Sequence, residues 1–454
     1  MVTKTGARSH ASQHAQGADA ALYLLVAVVF FGLAVKGGVV SNVVAVLAGI
    51  TILTMVVTGR LPARNEEGAT RLETALAGAV LVFAVLGVTG YGSSIGPSSG
   101  LERLPGVVWA GLVVLLFMSR QRGGGRRRVV VLVALLTIAF TVLFGINAVE
   151  SAREGYDVLF LHQEAADALA AGLNPYTDAV TFPNGAPTAE PGDQIVGYVY
   201  PPITAVAYAI GEWTFDDPRY TSLASWVGLL SLLSVWGVRQ PTSHLPYLLL
   251  LLASLPGWPL VLRAAWTEPL SLLLLAGAAA VWRRGGASGF WLGIGLASKQ
   301  YFAVAAPFLF FYRDRVWSRR ALVAAIVTGL GVGVGILWGP EAFWSAAIEF
   351  HASTPPRLDS SNLVGLLGIF GLSWSPPVIL PLAFGLGVAA LASMRSRDVS
   401  SAFCALALAL AASFFLSSQA FANYWFLVMG LCLLALATLG EESEGAQGAL
   451  ATAR

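Results

Sequence analysis

The segment between Glu150 and Val199 concentrates acidic side chains in a chain that is otherwise poor in charge. Charged residues make up 11% of the sequence, yet this segment holds eight carboxylates against one arginine, Arg153. The carboxylates are Glu150, Glu154, Asp157, Glu164, Asp167, Asp178, Glu190 and Asp193. Apolar membrane helices need no such segment in order to fold in lipid. A long acidic segment between apolar runs therefore indicates catalysis or recognition.

Asp157 begins a stretch with helical periodicity, which Gly172 ends as a C-cap. At the helical rotation of about 100° per residue, Asp157 and Glu164 are about 20° apart. Asp167 lies about 80° from Asp157, and His162 lies about 140° from it. Two or three carboxylates thus share one face, where a carboxylate could serve as a general base. A solvated acidic face is the alternative interpretation of the same pattern.

The composition predicts an all-α polytopic membrane protein. Hydrophobic residues make up 56% of the chain and its mean hydropathy is +0.71. Many apolar runs have the length of about 17–22 residues that a membrane helix needs. The predicted spans are 19–35, 38–58, 72–92, 104–119, 129–149, 219–238, 244–262, 266–282, 320–339, 375–394, 400–417 and 421–439.

Arginines cluster between these spans, and the positive-inside rule places such clusters in the cytoplasm. The clusters are Arg60/Arg64/Arg71, Arg120–Arg128, Arg239, Arg283/Arg284, Arg313–Arg320 and Arg395/Arg397. This pattern predicts a cytoplasmic N-terminus and an external region 150–218. It also requires the stretch Tyr200–Trp213 to lie at the outer interface without crossing the membrane.

Lys299 lies where the chain has too little length for two full crossings. Arg284 and Arg313 are both predicted to be cytoplasmic, but only about 28 residues separate them, whereas two crossings need about 40. We therefore expect two half-depth helices that meet at a turn near 298–300. A charged lysine at that depth costs a few kcal/mol without a partner. We expect Lys299 to face the same cavity as Asp157, with its counter-charge supplied by the outer acidic region or a lipid headgroup. A buried lysine paired with a structural acid is the alternative interpretation of the same residue.

Several short motifs occur in an order that resembles a known family. They are Asp157 just after a span, Gly172–Tyr176 (G-x-N-P-Y), Tyr198–Pro202 (Y-x-Y-P-P), Trp266–Leu270, Leu296–Gln300, Ser360–Leu363 and Gln419–Tyr424. Over roughly 129–439 the chain resembles the polyprenol-phosphate-mannose-dependent mannosyltransferases of glycosyltransferase family 87, within the GT-C superfamily. One departure is Glu268, where an amide is commoner in the family.

The resemblance implies a GT-C-like bundle of about 12–14 membrane helices with external juxtamembrane helices. Residues 1–128 would form a cytoplasmic tail and accessory membrane helices, and residues 440–454 a cytoplasmic tail. Residues 129–439 would form the catalytic membrane module, with external loops 150–218 and 340–374.

The activity that the resemblance implies is an inverting, metal-independent sugar transfer on the outer face of the membrane, without a cofactor. The donor would be a polyprenyl-phosphate sugar, with mannose the family's common sugar, and the acceptor a lipid or glycan. Membrane lipids are expected partners, nucleic acid is not, and the location expected is the plasma membrane. Asp157 would be the general base. Lys299, or else Arg263, would stabilise the leaving phosphate.

The predicted substrate-binding residues are Glu164, Asp167, Tyr176, Tyr200, Arg263, Glu268, Lys299, Gln300, His351 and Asn362. A transporter is the main alternative, because ionisable residues and interrupted helices are also signatures of transport. The charges lie at the outer ends of spans, however, and no repeat is visible. A lipid-linked glycan ligase or flippase is a closer competitor, although a ligase would be expected to carry paired arginines in its external loop.

Overall fold

The structure, a computed structural model, describes most of the chain from residue 66 onwards. The described residues are 66–88, 104–120, 125–151, 157–177, 179–181, 194–239, 244–255, 257–312, 316–353, 360–372, 374–396, 398–418 and 420–439. The predicted spans 19–35 and 38–58, the tail 440–454 and Gln419 lie outside them.

The described chain is an α-helical membrane protein. Four of its helices are long and apolar enough to cross a membrane: α3 (Arg126–Glu150), α6 (Arg219–Arg239), α12 (Trp317–Trp338) and α17 (Val399–Leu416). Six further stretches of helix are apolar but shorter. Among the described residues, the exception to helix is an antiparallel ladder of β1 (Ala179–Thr181) and β2 (Gln194–Val196).

The remaining helices complete the order along the chain. The amino-terminal ones are α1 (Glu66–Val88), α2 (Leu104–Arg120), α4 (Asp157–Ala170) and α5 (Pro202–Phe215). The central ones are α7 (Leu245–Ala253), α8 (Trp258–Arg263), α9 (Glu268–Ala280), α10 (Gly285–Leu296), a 3₁₀ turn Gln300–Ala305 and α11 (Ala306–Phe311). The last ones are α13 (Pro340–Trp344), a π-helical turn Ser345–Glu349, α14 (Phe350–Ser353), α15 (Leu363–Ile369), α16 (Ile379–Arg395) and α18 (Ala422–Ala437).

The predicted half-depth hairpin is confirmed. Helix α10 has 12 residues, a length of about 18 Å, which is short of the roughly 30 Å of a bilayer core. The chain breaks before Lys299, whose backbone is extended, and then returns through the 3₁₀ turn and α11. The rings of Trp282 and Tyr312, just outside the two ends of the hairpin, are 5.9 Å apart. Both ends therefore lie at the same end of the bundle.

The predicted span 244–262 is wrong as a single helix. The structure divides it into α7 and α8, and Gly257 between them takes φ +89°. Glycine adopts this left-handed conformation without the steric cost that a Cβ imposes. Pro259 then occupies the first turn of α8, a position where its missing N–H costs no hydrogen bond. Hydropathy alone cannot distinguish such a broken span from a continuous one.

The two ends of the helical bundle carry different polar and charged side chains. At one end, Arg320 is buried and donates to the Ser288 hydroxyl and the Trp282 carbonyl, with its guanidinium 3.8 Å from the Trp282 ring. At the opposite end, the Asn174 side chain donates to the carbonyl of Trp338, the last residue of α12. The acidic helix α4 and the Tyr198–Pro202 segment lie at this second end. A large apolar core connects the two ends.

Candidate functional site

Lys299 lies in the break between the half-depth helices, with its side chain 2% exposed. Two hydrogen bonds hold the residue before it. The Thr204 hydroxyl of α5 donates to the Ser298 carbonyl at 2.5 Å, and the Ser271 and Ser298 hydroxyls are 2.8 Å apart. Because the backbone is fixed from both α5 and α9, the lysine has a defined position inside the bundle.

The counter-charge of Lys299 is Glu268, which is fully buried. The lysine Nζ lies 2.5 Å from the glutamate Oε1. The Tyr301 hydroxyl and the Asn423 amide also donate to Oε1, each at 3.1 Å. The expectation that the outer acidic region or a lipid headgroup would supply the counter-charge is wrong. The carboxylate comes instead from the first residue of α9, which agrees with the alternative interpretation of a buried lysine paired with a structural acid.

Three tyrosine rings surround the ammonium group of Lys299. Its Nζ lies 5.2 Å from the ring centre of Tyr200, 5.0 Å from that of Tyr301 and 6.0 Å from that of Tyr424. Aromatic faces attract cations at these distances, and more strongly where water is excluded. We call this group the lysine cluster; its members are Tyr200, Glu268, Lys299, Tyr301, Asn423 and Tyr424.

Asp157 is the half-buried first residue of α4, and its Oδ1 accepts the backbone N–H of Val158 at 2.8 Å. Burial raises the pKa of Tyr200 well above its usual value, and the negative charges of Asp157 and Glu268 raise it further. Tyr200 is therefore within electrostatic reach of both carboxylates.

The backbone that presents Tyr200 is held by three of the predicted site residues. Tyr176 donates from its hydroxyl to the Tyr200 carbonyl at 2.9 Å. Gln300 and His351 each approach the Val199 carbonyl through Nε2, at 3.4 and 3.3 Å. Burial above all, together with the charge of Lys299, lowers the pKa of His351 to about 4. His351 is thus neutral near pH 7, and its Nε2–H donates to this carbonyl.

Four other predicted residues lie in different surroundings. Glu164 and Asp167 are exposed on α4. Arg263 is half-buried at the end of α8. Asn362 is fully buried as the N-cap of α15, where its amide oxygen accepts from Gly365 N and its amide nitrogen donates to the Ser417 carbonyl. Those bonds give Asn362 a structural task, and its contact with substrate stays a prediction.

Sequence reasoning missed three members of the lysine cluster. Tyr301 follows Gln300 directly, and Asn423 and Tyr424 open the apolar helix α18. A usable signal existed for Asn423, because an amide in the first turn of an otherwise apolar span needs a partner. Its partner Glu268 lies 155 residues away along the chain, so only the tertiary structure reveals that the two side chains are in contact.

The cluster combines a fixed cation, a carboxylate and aromatic faces in a site shielded from water. An ammonium has three donors, and Glu268 accepts one of them. The second oxygen of Glu268, Oε2, is buried without a hydrogen-bond partner. Within the described residues, no group of three or more His, Cys, Asp or Glu side chains is arranged to hold a metal ion.

Comparison with known proteins gives no relative: no family model, no curated protein and no solved structure matches this chain.

Proposed function

We propose that this protein transfers a sugar from a polyprenyl-phosphate donor to a lipid-linked or glycan acceptor on the outer face of a membrane. The observation that carries the proposal is the buried Lys299, whose ammonium lies 5.2 Å from the ring centre of Tyr200, towards the end of the bundle that also carries the half-buried carboxylate Asp157. The buried cation Lys299 could bind a phosphate, and the half-buried carboxylate Asp157 could act as a general base. The resemblance to family 87 of the glycosyltransferases points to the same activity.

In this reaction Asp157 takes the proton of the acceptor hydroxyl as its oxygen attacks the anomeric carbon. The bond from that carbon to the phosphate oxygen breaks on the opposite side, so the configuration inverts. Polyprenyl phosphate leaves with the bonding electrons, and the growing negative charge on its oxygens faces Lys299. The rings around the ammonium exclude water, which strengthens this electrostatic stabilisation.

The proposal includes a GT-C-like bundle of about 12–14 membrane helices in the plasma membrane, with 129–439 as the catalytic module. Its support is the arrangement of the described helices. The acidic helix α4 and the lysine cluster lie towards one end, and the buried Arg320 lies at the other. With arginines in the cytoplasm, the site would open to the outside.

The first prediction compares Asp157→Asn with Glu164→Gln. Asparagine keeps an oxygen for the Val158 N–H but is no base, so we expect sugar transfer to fall about 10²–10⁴-fold at normal expression. Glu164 is exposed on the same helix and is a predicted substrate-binding residue but not the base, so its variant should lose far less activity than Asp157→Asn. The measurement is transfer of radiolabelled sugar from polyprenyl phosphate in membranes.

Two results would count against this assignment. A fully active Asp157→Asn together with an inactive Glu164→Gln would exchange the two roles. Unchanged activity in both variants would leave the acidic face as solvated surface.

A transporter is the second candidate, and the Glu268–Lys299 pair itself favours it. Buried ion pairs beside broken helices occur on the pathways of transported ions and substrates. Purified protein in sealed vesicles separates the two functions. A transferase makes a labelled product when donor and acceptor are both on the site's side, whereas a transporter accumulates label across the membrane without a new glycosidic bond.

A further inference from the structure

The chain reaches Glu268 through a turn in which Ala265 has a left-handed backbone. Helix α8 ends in a Schellman motif: Trp266 N–H bonds the Val261 carbonyl and Ala265 N–H bonds the Leu262 carbonyl, each at 3.0 Å. The central residue of this motif is usually glycine, but here it is alanine with φ +55°. The Cβ makes that conformation unfavourable by roughly 1 kcal/mol, so the surrounding structure has to hold it.

Side chains from three other helices bond the carbonyls of this turn. His162 of α4 lies with Nε2 3.2 Å from the Ala265 carbonyl. The hydroxyls of Tyr208 in α5 and Ser222 in α6 lie 2.9 and 3.1 Å from the Trp266 carbonyl, and 2.7 Å from each other. Glu268 follows two residues after Trp266, so these contacts determine the path by which its carboxylate reaches Lys299.

The bonding around His162 fixes its tautomer. Since Nε2 faces a carbonyl, which only accepts, Nε2 carries the hydrogen. Nδ1 then accepts from the Tyr198 hydroxyl at 2.8 Å. The imidazole also stacks on the Tyr208 ring, with 3.8 Å between ring centres. Burial lowers the pKa of His162 to about 3, so the ring remains neutral and in this tautomer at physiological pH.

We propose that His162 is a positioning residue, which holds the strained Ala265 turn through its Nε2–H and thereby aims Glu268 at Lys299. Its effect on sugar transfer rests on the proposed function, whereas its effect on the turn does not. The residue belongs to the acidic helix, but it is buried, and its ring nitrogens bond the Ala265 carbonyl and the Tyr198 hydroxyl. Its role is therefore distinct from that of the base.

Two substitutions separate hydrogen bonding from packing. His162→Gln keeps an amide N–H near the position of Nε2 but loses the ring. His162→Phe keeps a ring to stack on Tyr208 but loses both nitrogens. Hydrogen–deuterium exchange of the peptide 264–270, followed by mass spectrometry on purified protein in detergent, reports on the turn directly. We expect exchange there to rise about tenfold in His162→Phe and to stay within about twofold of wild type in His162→Gln.

Relief of the strain supplies an internal control. Ala265→Gly removes the backbone penalty, so the additional exchange caused by His162→Phe should shrink in the double variant. Wild-type exchange in His162→Phe, or a Gln variant as fast as the Phe variant, would overturn the proposal. If His162→Phe fails to purify folded, His162→Leu replaces it as a smaller side chain that also lacks a donor. Wild-type exchange in that variant would likewise overturn the proposal.

Activity provides the second readout. With polyprenyl-phosphate sugar as donor, His162→Phe should lower kcat more than it raises KM for the acceptor, because Glu268 and Lys299 act on the leaving phosphate. The two hypotheses fail differently. Wild-type protein without any sugar transfer would reject the proposed function and leave the exchange result standing. Active wild type with an undisturbed turn in His162→Phe would reject the positioning role alone.

Discussion

At the scale of single residues, the site depends on a pair of buried charges, Glu268 and Lys299, each of which would be unfavourable in the interior without the other. Removing an ammonium or a carboxylate from water costs several kcal/mol, and the attraction between the two offsets this only when the geometry is good. Glu268 and Lys299 meet that condition, because Tyr301 and Asn423 supply further donors to the carboxylate. The same pair explains how a lysine can be buried within an apolar helical bundle.

The second prediction follows from this dependence. Glu268→Gln leaves an uncompensated ammonium, and Lys299→Met leaves an uncompensated carboxylate, so each should destabilise the protein by about 3–5 kcal/mol. The double variant carries neither charge and should recover most of that loss. Apparent thermal unfolding in detergent measures the effect. Additive losses of stability in the double variant would contradict a mutually dependent pair. In the assay of sugar transfer, Lys299→Arg should keep part of the activity, because both cations can face a phosphate.

The sequence predicted individual residues of the site better than their contacts. Lys299 was identifiable because the chain has only one lysine after Lys36, at a depth where charge is expensive. Glu268 was identifiable as an acid that opens a span. Their direct pairing was not, because two helices and a turn separate them and no local pattern records which side chains meet.

At the scale of elements, the break before Lys299 is held by α5. The Thr204 hydroxyl donates to the Ser298 carbonyl, which the end of α10 leaves without a helical partner. The break was predictable from the spacing of arginines, because 28 residues cannot cross the membrane twice. The break between α7 and α8 was not predictable in this way, since both halves are apolar and no charge lies between them.

The third prediction tests that contact with Thr204→Val, which removes the hydroxyl and nearly preserves the shape. Loss of one buried hydrogen bond should destabilise the protein by about 1 kcal/mol or slightly more and should also reduce sugar transfer, because Lys299 loses its support. Thr221→Val is the matched control: its hydroxyl bonds the Ala207 carbonyl at 3.0 Å, away from the break. Equal losses of activity in the two variants would show that Thr204 has no particular connection to the site.

The glycines of α10 and α12 differ in what they do, although their sequence pattern looks alike. A Cβ on Gly293 would lie 2.7 Å from the Val327 Cβ and 2.8 Å from the Ala324 carbonyl oxygen. A Cβ on Gly329 in α12 would meet nothing within 4 Å. Close packing therefore accounts for Gly293 and not for Gly329, a distinction that depends on which face each residue presents.

The fourth prediction uses this contrast. Gly293→Ala should force α10 and α12 apart and destabilise the protein by about 1–3 kcal/mol. Gly329→Ala should be neutral or slightly stabilising, because alanine favours helix. Apparent unfolding temperatures in the same detergent compare the two variants. Similar values for both would mean that the close approach of the two helices is not maintained in solution.

At the scale of the whole molecule, the described helices separate an arginine-bearing end from an end that carries the acidic helix and the lysine cluster. This separation of the two ends was predictable from the sequence, because arginine clusters and the acidic segment lie between apolar spans and each span carries the chain to the opposite side of the membrane. The short ladder β1–β2, the π-helical turn and the hydrogen bond from His351 of α14 to the Val199 carbonyl were not predictable, since these depend on how loops pack against one another. Division of the chain at residue 128 stays a prediction.

The fifth prediction concerns which end faces outward. Helix α12 has 22 residues, a length of about 33 Å, enough to cross a bilayer core of about 30 Å. Its last residue, Trp338, bonds Asn174 beside the acidic helix, whereas Ser318 lies in its first turn. The positive-inside rule places the Arg319 and Arg320 end in the cytoplasm. Cys404 and Cys432 are both buried and free, and both are first replaced by serine. In that background, a membrane-impermeant thiol reagent applied from outside should label Thr188→Cys and should not label Ser318→Cys. Permeabilised membranes supply the positive control for the second site. Labelling of Ser318→Cys in intact cells, with protection of Thr188→Cys, would invert the topology and with it the outer placement of the proposed site.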